Sequence, residues 1–256
     1  MAVAERTLAV STRRGRWWWY AAAVLGLAAV QLAVSLGGGV VAGWIPLSSV
    51  DPGNWWLRLS VHHVVQVLPV LGVMVVVARR SRLDLRLDFG LGLGLGDWRW
   101  GLRAVGVVSA VLVVYLVGVH MALRALGHPL SSTVPVDPGA RAGQLAFQLL
   151  LSGPSEELVF RALPIAVLAA LGSVVVVRRW GLRLEALVAA VLFSLAHVTV
   201  TLGTWQTSAD GQQLAFALVL GAVQGVVFQR SRSVLYPMAI HSISNVIVTV
   251  VRIAGL

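Results

Sequence analysis

The feature that most constrains this chain is the length of its apolar blocks. Several run for close to the ~20 residues that a helix needs to cross a bilayer, and only 12% of the 256 residues are charged. A soluble domain usually carries about 25% charged residues. Too few polar side chains are present to cover an exterior that faces water. The blocks therefore predict an all-α fold, a polytopic transmembrane helix bundle.

Seven spans are expected, and linkers rich in Gly, Pro and polar residues separate them. The spans are Trp17–Leu36, His62–Ala78, Ala104–Leu123, Ser155–Val177, Leu184–Thr204, Gln213–Phe228 and Val234–Gly255. Tryptophans cluster near the span ends, as in the aromatic belts of membrane proteins. Between the second and third spans, Arg79–Arg103 is expected to be an irregular or interfacial segment, because its Gly-rich alternation makes a poor strand.

The fourth span is preceded by a further apolar stretch. A proline inside a helix removes one backbone hydrogen bond, so Gly153-Pro154 is expected to break the helix there. Residues 141–151 would then form an interfacial or partly inserted helix. We divide one integrated membrane domain into N-terminal spans with an Arg-rich loop, residues 1–140, and a C-terminal core of spans, residues 141–256.

The arginines predict the orientation of the bundle. The chain has 20 arginines and no lysine; 15 fall in segments expected on one side, four on the other, and one, Arg161, within a span. Cytoplasmic loops of membrane proteins carry the excess of positive charge. We therefore expect a cytoplasmic N-terminus, and lipid rather than nucleic acid as the partner of the net charge of +10. The Arg-only, Gly/Ala/Val-rich composition is typical of a GC-rich bacterial genome and suggests a bacterial plasma membrane.

Two acids and an arginine lie together in the fourth span. Ionisable residues within a bilayer are costly and usually functional. Glu157 and Arg161 are four residues apart, the spacing of a helical ion pair. Glu156 is rotated by about 100° from Glu157, so it is free to face another group, and we assign it as a general base. The alternative, acids that only meet a helix dipole, does not explain Arg161.

Histidines lie in two later spans. His197 is in the fifth span, and His241 lies four residues before Asn245 on one face of the seventh. Each alone could be a hydrogen bond between helices, but three polar groupings on three apolar helices favour one shared site. The remaining histidines carry weaker signals. His62 and His63 are expected to be interfacial, His120 to be a packing or lumenal group, and His128 to lie in a loop.

Together these groupings resemble the CPBP (CAAX protease and bacteriocin-processing, or Abi) family, which includes the type II CAAX prenyl endopeptidases. The family has three motifs on successive membrane helices: E-E-x-x-x-R, F-x-x-x-H and H-x-x-x-N. In this chain, the matching segments are Glu156-Glu157-x-x-x-Arg161, Phe193-x-x-x-His197 and His241-x-x-x-Asn245, in that order. The resemblance covers roughly the last 100 residues.

The resemblance implies an intramembrane endopeptidase. Glu156 and His197 would activate the attacking water, His241 and Asn245 would stabilise the oxyanion or help to hold a metal, and Glu157 with Arg161 would support the site. If a metal is present, zinc is the candidate, with ligands from Glu156, His197, His241 and Asn245. The expected substrate is a peptide or a membrane-anchored protein.

Two alternatives remain open at the level of sequence. The first is a non-catalytic scaffold or immunity protein that binds a peptide in the same pocket. The second is a small transporter, although transporters more often show paired repeats, whereas polarity here is confined to the second half of the chain.

Overall fold

A computed structural model describes residues 16–127, 135, 137–201, 204 and 206–254. Its described part is a helical membrane bundle, as expected. Five helices are long and apolar enough to span a bilayer. They are α1 (Arg16–Trp44), α2 (Leu57–Ser81), α3 (Trp98–Ala125), α8 (Gly211–Ser231) and α9 (Leu235–Ala254). Each corresponds to one of the seven expected spans. The structure differs from the expectation at the other two, the fourth and the fifth spans.

The fourth span is part of a longer element that we call the split helix, residues 138–171. It consists of α4 (Pro138–Phe147), α5 (Gly153–Glu157) and α6 (Leu163–Leu171), joined by wide π-helical turns at Gln148–Ser152 and Leu158–Ala162. At 1.5 Å per residue the split helix is about 51 Å long. The expected break at Gly153-Pro154 is therefore wrong, and residues 141–151 are not a separate interfacial helix.

The two π turns explain how the split helix tolerates its prolines. Each turn ends two residues before a proline, Pro154 or Pro164. A proline has no N–H, and its ring clashes with the preceding turn of an α-helix, so a locally wider turn accommodates the ring. The backbone N–H of Leu163 reaches the carbonyl of Leu158. The next carbonyl, of Val159, accepts instead from Gln31 Nε2 on α1 at 3.1 Å.

The fifth expected span is wrong in length. Helix α7 covers only Leu184–Leu195, about 18 Å at 1.5 Å per residue, which is well short of the ~30 Å hydrocarbon core. Two small antiparallel hairpins flank it, one pairing β1 (Val175–Val177) with β2 (Leu182–Arg183). The other pairs β3 (Thr199–Thr201) with β4 (Gln206–Ser208). The second hairpin occupies the chain that we expected to complete the span.

Small residues bring α7 against α8. A Cβ added at Gly225 would lie 2.8 Å from the Cβ of Ala186, so only glycine allows this approach. Ser194 at the end of α7 donates to the carbonyl of Leu214 near the start of α8, at 2.8 Å. Close packing of small residues and interhelical hydrogen bonds are the main attractive forces between helices in lipid. These contacts fix the end of α7, which carries His197 into the bundle.

One end of the bundle gathers the arginines. Within the segment Arg79–Arg103, residues 82–97 between α2 and α3 are irregular, as expected, and they pack on the turn between α8 and α9. The N–H of Val234 donates to the carbonyl of Gly90 at 3.0 Å, and the Arg230 guanidinium lies 4.6 Å from the Trp100 ring centroid. The N–H of Arg183 in the β1–β2 hairpin donates to Gln229 Oε1 at 3.1 Å. We call this side, with the ends of α2 and α8, the Arg-rich end.

The opposite end is organised by Asp51, which caps α2. Its carboxylate is buried and accepts N–H bonds from Trp55, Trp56 and Leu57, at 2.9–3.0 Å. Burial opposes ionisation, but the three hydrogen bonds outweigh it and hold the pKa of Asp51 below its ordinary value of 3.8. Asp97 caps α3 in the same way, with one bond to the N–H of Trp100.

We predict that Asp51→Ala lowers the free energy of unfolding by about 2–3 kcal/mol, because it leaves three helix-terminal donors without their charged acceptor. Asp97→Ala, which loses one bond, should cost about 1 kcal/mol. Because the folded pKa is depressed, the contribution of Asp51 is full above about pH 3.8 and is lost as the pH falls through the lower folded value. Thermal unfolding in detergent from pH 7 down to pH 3 measures both effects. Equal losses for the two variants would contradict this account of Asp51.

Candidate active site

A fully buried ion pair lies at the centre of the site. Arg161 Nη1 donates to Glu157 Oε1 at 2.8 Å, and neither side chain has measurable exposure. This confirms the ion pair expected from the spacing. Arg161 Nη2 donates to Gln224 Oε1 on α8 at 2.8 Å, and Gln224 Nε2 donates to the carbonyl of Pro237 on α9 at 3.3 Å. The pair thus ties the split helix to α8 and α9.

Arg161 has a second partner on α7. Its guanidinium carbon lies 4.1 Å from the centroid of the Phe193 ring, a distance at which a desolvated cation is attracted to the face of an aromatic ring. Arg161 Nε has no hydrogen-bond partner among the described residues. The phenylalanine of the F-x-x-x-H motif therefore contacts the arginine of the first motif, which brings α7 into the same network.

His241 lies between the two glutamates. Its Nδ1 is 2.7 Å from Glu157 Oε1, and its Nε2 is 3.7 Å from Glu156 Oε2. A carboxylate only accepts hydrogen bonds, so Nδ1 carries the proton and a neutral ring presents an unprotonated Nε2 to Glu156. The i, i+1 spacing of the two acids thus places them on different sides of one imidazole. Glu157 orients the ring, while Glu156 faces the space beyond it.

Close helix packing makes this approach geometrically accessible. A Cβ added at Gly153, one turn before Glu157, would lie 2.8 Å from the backbone N of Ser242. Glycine at this position lets α5 and α9 meet, so that the side chain of His241 reaches both acids. The residue expected to break the helix therefore serves its contact with α9.

Asn245 is held one turn further along α9. Its Nδ2 donates to Ser152 Oγ at 3.0 Å, and that hydroxyl points to Glu156 Oε1 at a longer 3.4 Å. Asn245 and Glu156 both line the same cavity. The structure thus brings Glu156, His241 and Asn245 together, as the motif spacing predicts.

His197 is placed more loosely. It follows the last turn of α7, and its Nδ1–H donates to the carbonyl of Phe193 at 2.9 Å, which leaves Nε2 unprotonated in the neutral ring. The rings of His197 and His241 lie on the same phenylalanine, with centroids 4.9 and 5.6 Å from that of Phe193. No hydrogen bond joins the side chains of His197 and Glu156 in the structure.

His63 is the site residue that the sequence reasoning missed. It was expected to be interfacial; instead it is 9% exposed, and its Nε2 lies 3.7 Å from Glu156 Oε1. His63 was the second residue of the expected span, which made it look like an edge residue. However, α2 begins five residues earlier than expected, at Leu57, so His63 lies well inside the helix. A pair of histidines in an apolar helix was the available signal. His120 is half-buried on α3 with Nδ1 bonded to the carbonyl of Leu116, and His128 lies outside the described residues.

Charges in the site do not cancel. With neutral imidazoles, Glu156 and Glu157 contribute two negative charges and Arg161 one positive charge. Glu157 and Arg161 neutralise each other at 2.8 Å, so the excess resides on Glu156, whose side chain is 18% exposed. An unpaired carboxylate with access to water and two unprotonated imidazole nitrogens nearby is suited to accepting a proton.

A cavity of about 310 Å³ leads to Glu156. Glu156 is the one carboxylate among its described lining residues. Away from Glu156 the wall continues along the first turns of α2 and α8 and the last turns of α9, with Leu59, Gln213 and Arg252. All three lie toward the end opposite the Arg-rich end, so the cavity opens on the Arg-poor end of the bundle.

The donor types at the site suit zinc, which binds neutral imidazole and carboxylate. The Nδ1 atoms of His63 and His241 are each fixed by an acceptor on α5. A hydrogen bond of this kind also orients zinc-binding histidines. However, within the ranges that the structure describes, no three His, Asp or Glu side chains are close enough together to hold a metal ion. The predicted zinc site therefore does not fit the side-chain positions, and we derive no reaction step through a metal.

Fold and site define a polytopic membrane protein with glutamate, histidine and asparagine side chains gathered within its helices. Residues 138–247 match the family model described as type II CAAX prenyl endopeptidase Rce1-like. The matched segment contains all seven residues of the three motifs, from Glu156 to Asn245, and the match confirms the resemblance to this family. The family is one of CAAX-type intramembrane endopeptidases. No curated protein and no solved structure matches the chain.

We predict that Arg161→Met lowers the free energy of unfolding by about 3–5 kcal/mol, because it leaves the buried Glu157 carboxylate without its cation. Combining it with Glu157→Gln should restore part of that loss, since no uncompensated charge then remains. The free energy of unfolding is measured in mixed micelles for the wild type, the two single variants and the double variant. This double-mutant cycle gives the coupling energy between Glu157 and Arg161. Strictly additive losses would show that the pair does not act as a unit.

Proposed function

We propose that this protein is an intramembrane endopeptidase in which Glu156 activates the attacking water. The observation that carries the proposal is the Glu156 carboxylate at the inner end of a cavity, 3.7 Å from an imidazole nitrogen on each side. Its neighbour Glu157 is fully buried and already paired. Glu156 is thus positioned to take a proton from water while Glu157 keeps the site assembled.

The proposed reaction begins when Glu156 takes one proton from water as its oxygen attacks the carbonyl carbon of the scissile bond. The negative charge that develops on the carbonyl oxygen requires donors. Asn245 uses one N–H of its amide on Ser152 and has a second to offer. His241 donates from Nε2 only when protonated, and Glu157 at 2.7 Å from Nδ1 stabilises that imidazolium. Glu156 then returns its proton to the leaving nitrogen as the C–N bond breaks.

The cavity wall supports a peptide as the substrate. The Oε1 atoms of Gln144 and Gln148 are buried without a hydrogen-bond partner in the part of the chain that the structure describes, and both residues line the cavity. An unsatisfied buried carbonyl is costly, and an extended peptide offers backbone N–H groups to satisfy it. The match of each such N–H to an amide oxygen favours an unfolded segment of a peptide or of a membrane-anchored protein.

We further infer that the substrate reaches the site from outside the cytoplasm. The arginines gather at one end of the bundle, which the positive-inside rule assigns to the cytoplasm, and the cavity opens at the other end. This orientation has the N-terminus in the cytoplasm of a bacterial cell and the substrate in the outer leaflet or the space beyond it.

The test of the activity compares detergent-purified wild type with Glu156→Gln on a quenched peptide library. We expect cleavage by the wild type and a loss of kcat of roughly 10³-fold or more in the variant, because the amide cannot accept the proton. Glu185→Gln is the matched control, since Glu185 is another acid inside the bundle and bonds Ser173 away from the site. Adding a chelator to the wild type tests for a required metal. If Glu156→Gln retained the function of the protein in cells, the non-catalytic scaffold would replace the protease.

The test of orientation uses the absence of cysteine from the chain. We expect Gln213→Cys, at the cavity mouth, to react with a membrane-impermeant maleimide in intact cells. Arg86→Cys, exposed at the Arg-rich end, should react only after the membrane is opened. The reverse pattern would place the cavity on the cytoplasmic side.

A further inference from the structure

The environment of His63 goes beyond the three motifs. Its Nδ1 lies 2.8 Å from Ser155 Oγ, and that hydroxyl is 2.7 Å from the carbonyl of Leu151. The carbonyl only accepts, so the Ser155 hydroxyl directs its proton there and accepts from His63 Nδ1–H. The neutral ring is thereby fixed with an unprotonated Nε2 that faces Glu156.

His63 and His241 flank Glu156 in matching ways. Each ring has its Nδ1 fixed by a residue of α5, Ser155 for one and Glu157 for the other. Each directs Nε2 to a different oxygen of Glu156 at the same separation of 3.7 Å. That separation is too long for a direct hydrogen bond, but a water to one side of the line that joins the two atoms can lie about 2.8 Å from both.

We propose that His63 is a further catalytic residue of this protein, which binds the attacking water together with Glu156 Oε1. The inference rests on the proposed function. One water proton passes to Glu156 Oε1 as the oxygen attacks; the other stays on that oxygen and is hydrogen-bonded to His63 Nε2. It is released when the new carboxyl group ionises. His63 therefore sets the direction of the oxygen lone pair that attacks the carbonyl.

His63 belongs to the part of the chain that the family match does not reach. The matched segment begins at residue 138, whereas His63 lies on α2, which packs against α5. The spans before residue 138 therefore contribute a reacting group as well as a lipid-facing wall.

If His63 had a purely structural role, that role would depend on its bond to Ser155 and on its edge contact with Phe147, whose ring centroid is 5.0 Å away.

Two isosteric substitutions separate these roles. The amide of asparagine occupies about the position of Nδ1 and can keep the Ser155 bond, whereas the longer glutamine places its amide near Nε2. We expect His63→Asn to fold with a melting temperature close to wild type and to lose roughly 10²-fold in kcat with little change in KM. His63→Gln should retain more activity than His63→Asn. His120→Asn, on α3, is the matched control for replacing a half-buried intramembrane histidine and should keep wild-type kcat.

Ser155→Ala gives an independent readout, because alanine preserves the helix but releases the ring. It should reduce kcat by about tenfold while the protein stays folded. Wild-type kcat in His63→Asn, with Glu156→Gln inactive, would overturn the assignment of His63 and leave the protease intact. Equal losses of stability and activity in His63→Asn and His63→Gln would also overturn it, in favour of packing. No cleavage by wild type would instead reject the proposed function itself.

Discussion

The buried ion pair of Glu157 and Arg161 is the interaction on which the rest of the site depends. A guanidinium cannot lie inside a membrane bundle without acceptors, and its acceptors come from three elements: its own helix, α8 through Gln224, and the aromatic face of Phe193 on α7. Glu157 then fixes His241 on α9. Satisfying one buried charge thus specifies how four helical elements pack, and the packing gives Glu156 its surroundings.

Two adjacent glutamates have opposite environments for a simple geometric reason. Successive side chains of a helix diverge by about 100°, so one acid faces the arginine and the other faces the cavity. The first is neutralised by charge and is inaccessible. The second has partial access to water and imidazole rings beside it. The proposed reaction thus depends on Glu156, whereas the stability of the site depends on its neighbour Glu157. His241 lies beside both carboxylates and connects them.

The sequence predicted those features that follow from helical periodicity. The ion pair at i, i+4 and the grouping of His241 with Asn245 required only that the segments be helical and buried. Features that depend on neighbouring elements were missed. Pro154 does not break its helix, because the helix widens into a π turn just before it. The local sequence has no feature that predicts this turn. Likewise α7 ends at Leu195 although the apolar residues continue, since Val200 joins a hairpin with a strand that lies beyond the expected span. His63 needed the register of α2 against α5, which no single segment encodes.

The shortness of α7 has a consequence for the lipid. A segment shorter than the hydrocarbon core is accommodated by a locally thinner bilayer. Here the helix gives way to a hairpin whose β4 residues Gln206–Ser208 are exposed and polar, next to His197. We therefore expect headgroups and the water among them to lie deeper beside the site. The proposed reaction consumes one water molecule for each bond cut, and a thinner bilayer here would shorten the path that this water travels.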